Sequence, residues 1–197
     1  KDPLWYLAAP AFGGCDYTNY SLSSGTATLN PGVYCGGNGN AAIDLTGSAQ
    51  VTLNPGTYVL NGGGLNMGGN ATLGGTGVTI YNTGTASTYA PINTQDQITI
   101  ALKAPTSGPL EGILFFTDRS VTFPTQANNI GMGNTGKLEG TLYFPTTDLV
   151  MDTGQNSAAY TILVTKTLSL GINTFNVSSD YSSLQDGSPL KAAKLAE

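Results

Sequence analysis

Short runs of alternating apolar and polar residues recur along most of the chain, and glycine, asparagine and proline separate them. Alternation over four to eight residues is typical of a half-buried β-strand, and the clusters NPG, GGNGN, NGGG and GGN favour turns. No stretch shows the period of a long amphipathic helix. The pattern therefore predicts an all-β protein, whose strand-like runs include Thr26–Leu29, Gly32–Cys35, Gln50–Leu53, Thr57–Leu60, Gly77–Tyr81 and Ile98–Leu102.

The chain also repeats itself at intervals of tens of residues. TATLNPGVY at Thr26–Tyr34 returns as VTLNPGTYV at Val51–Val59, and LEGILFF at Leu110–Phe116 returns as LEGTLYF at Leu138–Phe144. Such self-similarity in a chain of short strands is the signature of a solenoid, in which each repeat forms one coil stacked on its neighbours.

The length of one coil follows from the alignment of the repeats. A shift of 22 residues aligns Ile43–Val51 with Leu65–Leu73, and the same shift aligns Thr57–Val59 with Thr79–Tyr81. A coil of that length holds three short strands separated by turns. We therefore predict a single-domain right-handed parallel β-helix, or β-solenoid, with glycine- and asparagine-rich turns. Its handedness rests on the general preference of parallel β-crossovers.

Interruptions of this pattern predict how the chain is organised. Residues 1–14 form an extended lead-in that lays apolar and aromatic side chains over the first coil, and residues 15–178 form the β-helix. Polar, asparagine-rich stretches near 82–97 and 125–136 are expected to be loop excursions. Residues 179–197 are polar and are expected to form a tail or a cap over the open end of the solenoid.

Composition narrows the function. Only 10% of the 197 residues are charged, against about a quarter in ordinary soluble domains, and 27 are glycine. The net charge is −5 and the seven lysines and arginines are scattered, so no basic patch is available for nucleic acid. The chain contains no histidine, which excludes Ser-His-Asp and Cys-His catalysis and removes the commonest metal ligand. We expect no cofactor and no enzymatic activity.

The two cysteines, Cys15 and Cys35, are interpreted as one disulfide, since an even pair in a secreted-looking chain favours a bridge. Two buried free thiols are the alternative. No run of 18 or more apolar residues and no signal peptide occur in the sequence. We interpret the chain as the exported, extracytoplasmic part of a longer precursor.

The order of the motifs resembles the C-terminal extracytoplasmic region of TadG-like proteins of bacterial tight-adherence (Flp) pilus systems. The resemblance covers nearly the whole chain, from SGTATLNPGVYCGG and the VTLNPGTYVLNGGGLNMGGNATLGGTGVTIYNTG block to APTSGPLEGILFFTDRS, KLEGTLYFPTTDLVMDTG and the terminal DYSSLQDGSPLKAAKLAE. It implies a membrane-anchored precursor and a structural or accessory role in pilus assembly and surface attachment. It implies no catalytic residues. Expected partners are pilus or cell-envelope proteins and surface glycans.

Two glutamates stand at the same position of the LEG repeat, so Glu111 and Glu139 are candidates to stack on neighbouring coils. Paired carboxylates could share a proton or flank a glycosidic bond. The interpretation that we favour is an ordinary solvated charge at each position, paired with Lys137 or Arg119.

Two further charged pairs are candidate sites. Asp118 and Arg119 follow an apolar run and could bind a sugar or a carboxylate, although an ion pair that fixes the end of a strand is the favoured interpretation. Asp148 and Asp152 bracket a short strand and are candidate calcium ligands, but they lack the repeat typical of calcium-binding solenoids.

The sequence thus favours a non-enzymatic structural or adhesion module and leaves alternatives open. One is a carbohydrate-binding or polysaccharide-cleaving β-helix that uses Glu111, Glu139 and Asp118. Another is a filament subunit that associates end to end through uncapped strand edges. A third, ice binding, is disfavoured because the recurring threonines (Thr26, Thr28, Thr52, Thr72 and Thr79) do not hold one T-x-T motif at one position of the coil.

Overall fold

The computed structural model is an all-β solenoid of about six coils, in agreement with the prediction from the repeats. It describes residues 2–95, 97–123, 125–131, 133, 136–151, 155–156, 158–171, 174–175 and 178–190. No α-helix occurs within these ranges. The strands are β1 (Tyr17–Thr18), β2 (Tyr20–Leu29), β3 (Gly32–Cys35), β4 (Ile43–Leu53), β5 (Gly56–Asn61), β6 (Leu65–Met67), β7 (Thr72–Thr76), β8 (Val78–Thr83), β9 (Ile92–Thr94), β10 (Thr99–Lys103), β11 (Ile113–Thr117), β12 (Asn128–Ile130), β13 (Lys137–Met151), β14 (Gln155–Asn156), β15 (Thr161–Leu170) and β16 (Thr174–Phe175).

Each coil passes through three faces in the same order, and strands on one face pair in parallel with those of the coils before and after. Face 1 stacks the first parts of β2 and β4, then β6, β9, β12 and the last parts of β13 and β15. Face 2 stacks the last parts of β2 and β4, then β7, β10 and the first residues of β13. Face 3 stacks β1, β3, β5, β8, β11, the middle of β13 and the first part of β15.

The register of the second and third coils confirms the predicted shift of 22 residues. Ile43 pairs with Leu65, and Thr57 pairs with Thr79. The LEG repeat is less regular than its sequence suggests. Strand β11 begins at Ile113, because Leu110 and the two residues after it form a turn, and the pairing of β11 with β13 contains a register shift.

The loop excursions are shorter than predicted, because each contains a strand. β9 lies within 82–97 and β12 lies within 125–136. An excursion that the sequence did not indicate occupies 104–112, between β10 and β11. It was missed because its apolar Leu110 was assigned to a strand.

The tyrosine of the LNPGxY repeat has a structural role inside the solenoid. Tyr34 and Tyr58 point into the core and are fully buried. The hydroxyl of Tyr34 donates to the carbonyl of Asn30, and that of Tyr58 donates to the carbonyls of Asn54 and Leu29, each at 2.8 Å. A tyrosine four residues after the asparagine therefore satisfies a carbonyl of its own turn, which a buried turn requires.

Residues 2–14, which we call the N-terminal strap, lie on the outside of face 3. The side chain of Leu4 is fully buried among outward-facing residues of this face, including Phe116 and Tyr143. Further along the strap, Phe12 contacts Tyr81, and Cys15 then joins the first coil. The strap thus runs from the fifth coil back to the first, beyond the first coil over which the sequence predicted it.

The C-terminal tail also follows the side of the solenoid. Within 178–190, the amide of Asp180 donates to Ala159 and that of Gln185 donates to Thr106. The hydroxyl of Tyr6 in the strap donates to the carbonyl of Pro189. The described part of the tail therefore meets the strap laterally, and its Ser179 forms an antiparallel bridge with Tyr160 at the start of the last face 3 strand. The rest of the predicted tail or cap, residues 191–197, lies outside the described residues.

Candidate functional site

A groove of about 620 Å³ crosses the outer surface of face 1. Its floor consists of outward-facing residues from four successive coils, namely Ser21, Asp44, Asn66 and Asn93. The parallel register aligns them, since Ser21 pairs with Asp44, Asp44 with Asn66 and Asn66 with Asn93. One polar side chain per coil therefore forms a row along the solenoid axis.

Hydrogen bonds connect the members of this row. The amide of Asn66 donates to Asp44 at 2.7 Å, and the amide of Asn93 donates to the side-chain oxygen of Asn66 at 3.1 Å. Because each amide is oriented by its neighbour, the row presents carbonyl and carboxylate oxygens in a fixed order. The floor is thus preorganised for hydrogen bonding.

One wall of the groove is a two-residue hairpin between β3 and β4. Gly37 and Asn40 exchange both backbone hydrogen bonds, at 2.8 and 3.0 Å. Asn38 and Gly39 between them have φ values of +55° and +86°, as the Asn-Gly type I′ turn requires. The sequence GNGN encodes this wall directly.

The wall depends on three buried consecutive glycines, residues 62–64, all with positive φ. A Cβ on Gly63 would lie 2.4 Å from the carbonyl oxygen of Asn40, and one on Gly64 would lie 2.2 Å from that of Pro91. No side chain fits at either position, so the hairpin and the opposite loop approach each other closely at this corner.

The opposite wall is the loop from Thr85 to Pro91. Backbone hydrogen bonds from Thr88 and Tyr89 to the carbonyl of Thr85 form a tight turn, and the carbonyl of Thr88 accepts from Gly63. Tyr89 lines the groove, and its ring contacts Phe123 with a centroid distance of 6.0 Å. Burial raises the pKa of the Tyr89 hydroxyl, so the phenol stays neutral at physiological pH.

The lining is polar but almost uncharged. Among the described residues that line the groove, Asp44 is the one charged side chain, and none is lysine or arginine. Anionic ligands would therefore meet a carboxylate and no cation. Amides, hydroxyls and a single tyrosine ring are the groups that bind the hydroxyls and apolar faces of a neutral sugar.

The candidate Glu139 lies on face 2, where it is an ion-paired structural residue. Its side chain is 3% exposed, and its carboxylate lies 2.7 Å from the ammonium of Lys103 and 3.6 Å from that of Lys137. Burial raises the pKa of the Glu139 carboxyl, but the lysines and the amide of Ala159 together hold it below its usual range. Of the two expected partners, Lys137 is confirmed and Arg119 is not.

The stacking of Glu111 on Glu139 is wrong. The register partner of Glu139 is Lys103, and Glu111 belongs to the turn before β11, where it accepts a hydrogen bond from the amide of Asp186 in the tail. Because each glutamate has its own partner, the two do not form a carboxylate pair.

The pKa of the Tyr160 hydroxyl is raised, mainly by burial and further by the negative charges of Glu139 and Glu111.

Asp118 and Arg119 act separately rather than as the expected pair. Asp118 accepts hydrogen bonds from the hydroxyls of Tyr81 and Thr83, at 2.7 and 2.8 Å. Burial by itself would raise the pKa of the Asp118 carboxyl. The hydrogen bonds from Tyr81, Thr83 and the Ser120 amide outweigh burial, and the net effect is a lowered pKa. Arg119 instead pairs with Asp2 at 2.9 Å.

Arg119 is the anchor of the strap. Its guanidinium donates to the carbonyls of Leu4 and Leu7 and to the hydroxyl of Tyr143. It also lies over the rings of Phe116 and Tyr143, 5.2 and 5.0 Å from their centroids. These contacts assign Arg119 a structural role.

The predicted disulfide is present, with Cys15 and Cys35 bonded. It connects the end of the strap to the outward side of β3. Of the calcium candidates, Asp148 accepts a hydrogen bond from Thr167 and Asp152 lies outside the described residues. Within the described ranges, no group of three metal-ligating side chains occurs.

Several of the recurring threonines do share a row on the outside of face 2. Thr26, Thr72 and Thr99 align in register, together with Gln50, above a shallow depression of about 420 Å³. Thr79 is absent from this face, because it is buried on face 3 and donates to the carbonyl of Ile113. The row is broken by Gln50, so it does not form a continuous T-x-T array.

Sequence reasoning missed Asp44, Asn66 and Asn93 as site residues. A signal was present, because the shift of 22 residues already aligns Asp44 with Asn66. Asn93 could not be aligned in this way, because the loop before β9 lengthens the coil to 27 residues between Asn66 and Asn93.

Comparison of the chain with protein-family models, with curated proteins and with solved structures gives no match. The part of the chain that the structure describes has no helix of the length and apolarity needed to span a membrane. Function is therefore inferred from the geometry of the groove and from the disulfide, which is compatible with an extracytoplasmic protein.

Proposed function

We propose that this protein is a non-enzymatic extracytoplasmic binding module, of the kind that a tight-adherence pilus system displays at the bacterial surface. Its function is adhesion, and its binding site is the groove on face 1. The sequence resemblance supports the pilus role, and the disulfide supports an oxidising compartment. Pilus or cell-envelope proteins are its expected structural partners.

The observation that carries the proposal is the row of Asp44, Asn66 and Asn93 across three coils, oriented by its own hydrogen bonds. Such a row repeats one polar group per coil, with adjacent strands about 4.8 Å apart. An extended neutral oligosaccharide offers hydroxyls along its length to such a floor, and Tyr89 is the aromatic side chain in the lining. The ligand class is therefore a neutral surface glycan.

The alternative of a polysaccharide-cleaving enzyme receives less support. Glu139, Asp118 and Glu111 are held by separate partners, and the three do not line the groove. A glycosidase requires two carboxyl groups across one glycosidic bond. Asp44 is the single carboxylate among the described residues that line the groove.

The proposal is tested with a panel of neutral and uronate-containing oligosaccharides, screened for binding and for release of products. We expect at least one neutral glycan to bind and no acidic one to compete. Asn93→Ala should weaken that binding about tenfold, because loss of one or two hydrogen bonds costs about 1.4 kcal/mol. Gln50→Ala, an exposed amide on face 2, is the matched control and should bind normally.

Two results would overturn the proposal. One is the absence of binding to any neutral glycan at millimolar concentration while the variants remain folded. The other is turnover of a glycan that Glu111→Gln abolishes, since that result would place an active site at a residue outside the groove.

A further inference from the structure

Both ends of the solenoid expose strand edges. At one end, β2 pairs with β4 along one edge, and its other edge has no strand partner in the described part of the chain. At the other end, the same holds for the last part of β15, Thr167–Leu170, which pairs with β13 alone. Unpaired edges of this kind present backbone N–H and C=O groups that another strand can satisfy.

The rows of inward-facing side chains also stop abruptly at these ends. One row on face 1 begins at Tyr20 and ends at Leu168, and the next begins at Leu22 and ends at Leu170. Within these two rows, the side chains of the middle coils are at most 4% exposed, whereas Leu168 is 43% and Leu170 is 49% exposed. The last coil therefore leaves apolar side chains that a further coil would cover.

The order of the strands at the two ends is complementary. A coil runs through face 1, face 2 and face 3 in that order, and the first strand, β1, lies on face 3. The last described strand, β16, follows the face 1 part of β15 and pairs only with β14, so in chain order it stands at the face 2 position. The next position in this order is on face 3, where Ser179 of the tail forms an antiparallel bridge with Tyr160 at the start of the last face 3 strand. The β1 of a second copy would continue face 3 beyond this bridge.

The strap and the described part of the tail leave the face 1 edge of the last coil open, although Ser179 of the tail bridges to Tyr160 on face 3. Asp2 and Leu4 lie against the fourth and fifth coils, and the tail amide of Gln185 bonds Thr106 on the side of the fourth coil. Few charged side chains lie near the two ends. Between residues 15 and 95 the sequence has two, Asp16 and Asp44, and near the opposite end stand Asp148 and Lys166.

We infer that copies of this protein stack head to tail, with β2 of one copy pairing in parallel with Thr167–Leu170 of the next. Tyr20 and Leu22 of the added copy continue the rows that end at Leu168 and Leu170. The two surfaces differ, so the contact is heterologous, and repeated addition gives an open filament instead of a closed dimer. This assembly is independent of the glycan groove, whose floor faces sideways.

The test is sedimentation and light scattering of the oxidised protein over a wide range of concentration. We expect the mean mass to rise beyond that of a dimer as concentration increases. Leu22→Lys blocks one end and Leu170→Lys blocks the other, so each variant alone should remain a monomer. An equimolar mixture of the two should stop at a dimer, because each supplies the open end that the other lacks.

Ser169→Lys is the matched control, because this residue is adjacent on the same strand but faces outward, and it should assemble like the unmodified protein. Circular dichroism and thermal unfolding verify that each variant keeps its fold. A monomeric mass for the unmodified protein at all concentrations would overturn the inference. So would assembly that persists in both lysine variants, because the interface would then lie elsewhere.

Discussion

Asp2 and Arg119 are 117 positions apart in the chain, yet the Nε of Arg119 lies 2.9 Å from a carboxylate oxygen of Asp2. Their contact fixes the start of the strap on the outside of face 3, and the disulfide fixes its end. Between the two anchors, the strap covers apolar side chains that point away from the solenoid core. The protein therefore has two apolar layers, one inside the coils and one beneath the strap.

We expect Arg119→Ala to release the strap. The variant loses the hydrogen bonds to the carbonyls of Leu4 and Leu7 and the ion pair with Asp2. The ion pair contributes less to stability than the two hydrogen bonds, because it is partly exposed and solvent screens it. The free energy of unfolding should fall by about 2 kcal/mol. Urea unfolding measures this loss, and limited proteolysis should show faster cleavage near the exposed Trp5. Lys166→Ala should leave both unchanged, and an equal loss in that control would contradict the anchor role.

Reduction of Cys15–Cys35 should destabilise the folded protein by about 3 kcal/mol, the value for a closed loop of about this length. Thermal unfolding with and without reductant measures the effect. The double variant Cys15→Ser, Cys35→Ser should behave like the reduced protein and should not respond to reductant. A reductant effect that persists in the double variant would show that the stability loss has another source.

Acid should destabilise the protein partly through Glu139. Burial raises the pKa of this carboxyl, but Lys103, the Ala159 amide and Lys137 hold the folded-state pKa below its ordinary value. The resulting stabilisation is complete above the unfolded-state pKa and is lost as pH falls through the lowered folded-state pKa. Urea unfolding from neutral pH down to acid should therefore show a decline that Glu139→Gln reduces. Asp186→Asn, in the tail, should retain the full decline.

Alkali should destabilise the protein through its buried tyrosines. Burial raises the pKa of Tyr58 to about 12. Since unfolded tyrosines ionise near pH 10, stability should fall from that pH upward until the folded-state pKa is passed.

Phenolate absorbance and circular dichroism, followed together, check this prediction. Several of the ten tyrosines should ionise only as the fold is lost. Tyr58→Phe should also cost about 1 kcal/mol at neutral pH through its missing hydrogen bonds, and the exposed Tyr17→Phe should cost little. Ionisation of all tyrosines before any loss of structure would contradict the assignment.

Gly64→Ala should distort the groove and lower stability. The backbone at Gly64 has φ of +61°, and the added Cβ would meet the carbonyl oxygen of Pro91 at 2.2 Å. Gly108→Ala is the matched control, since its φ is +88° but the space around its Cβ is open. The control should cost about 1 kcal/mol from backbone strain alone. Thermal unfolding should show a larger loss for Gly64→Ala, and equal losses would mean that the close approach is unimportant.

Local patterns were sufficient to predict most of the fold. The alignment of Ile43 with Leu65 was readable because both coils have the same length and the same turn residues. The Cys15–Cys35 disulfide followed from the presence of just two cysteines. Where a coil gains residues, as between β10 and β11, the repeat loses its constant spacing, and the start of β11 and the stacking of Glu111 on Glu139 were predicted wrongly.

The sequence by itself determined the coil. Its 22-residue shift, its alternating apolar positions and its Asn-Gly and Asn-Pro-Gly turns act between near neighbours, so a parallel stack follows from local chemistry. Only the tertiary structure decided the position of the strap, the partners of Arg119 and the row from Asp44 to Asn93 as the floor of a groove. These features depend on contacts between residues of different coils or of chain segments more than a hundred positions apart, which no local pattern specifies.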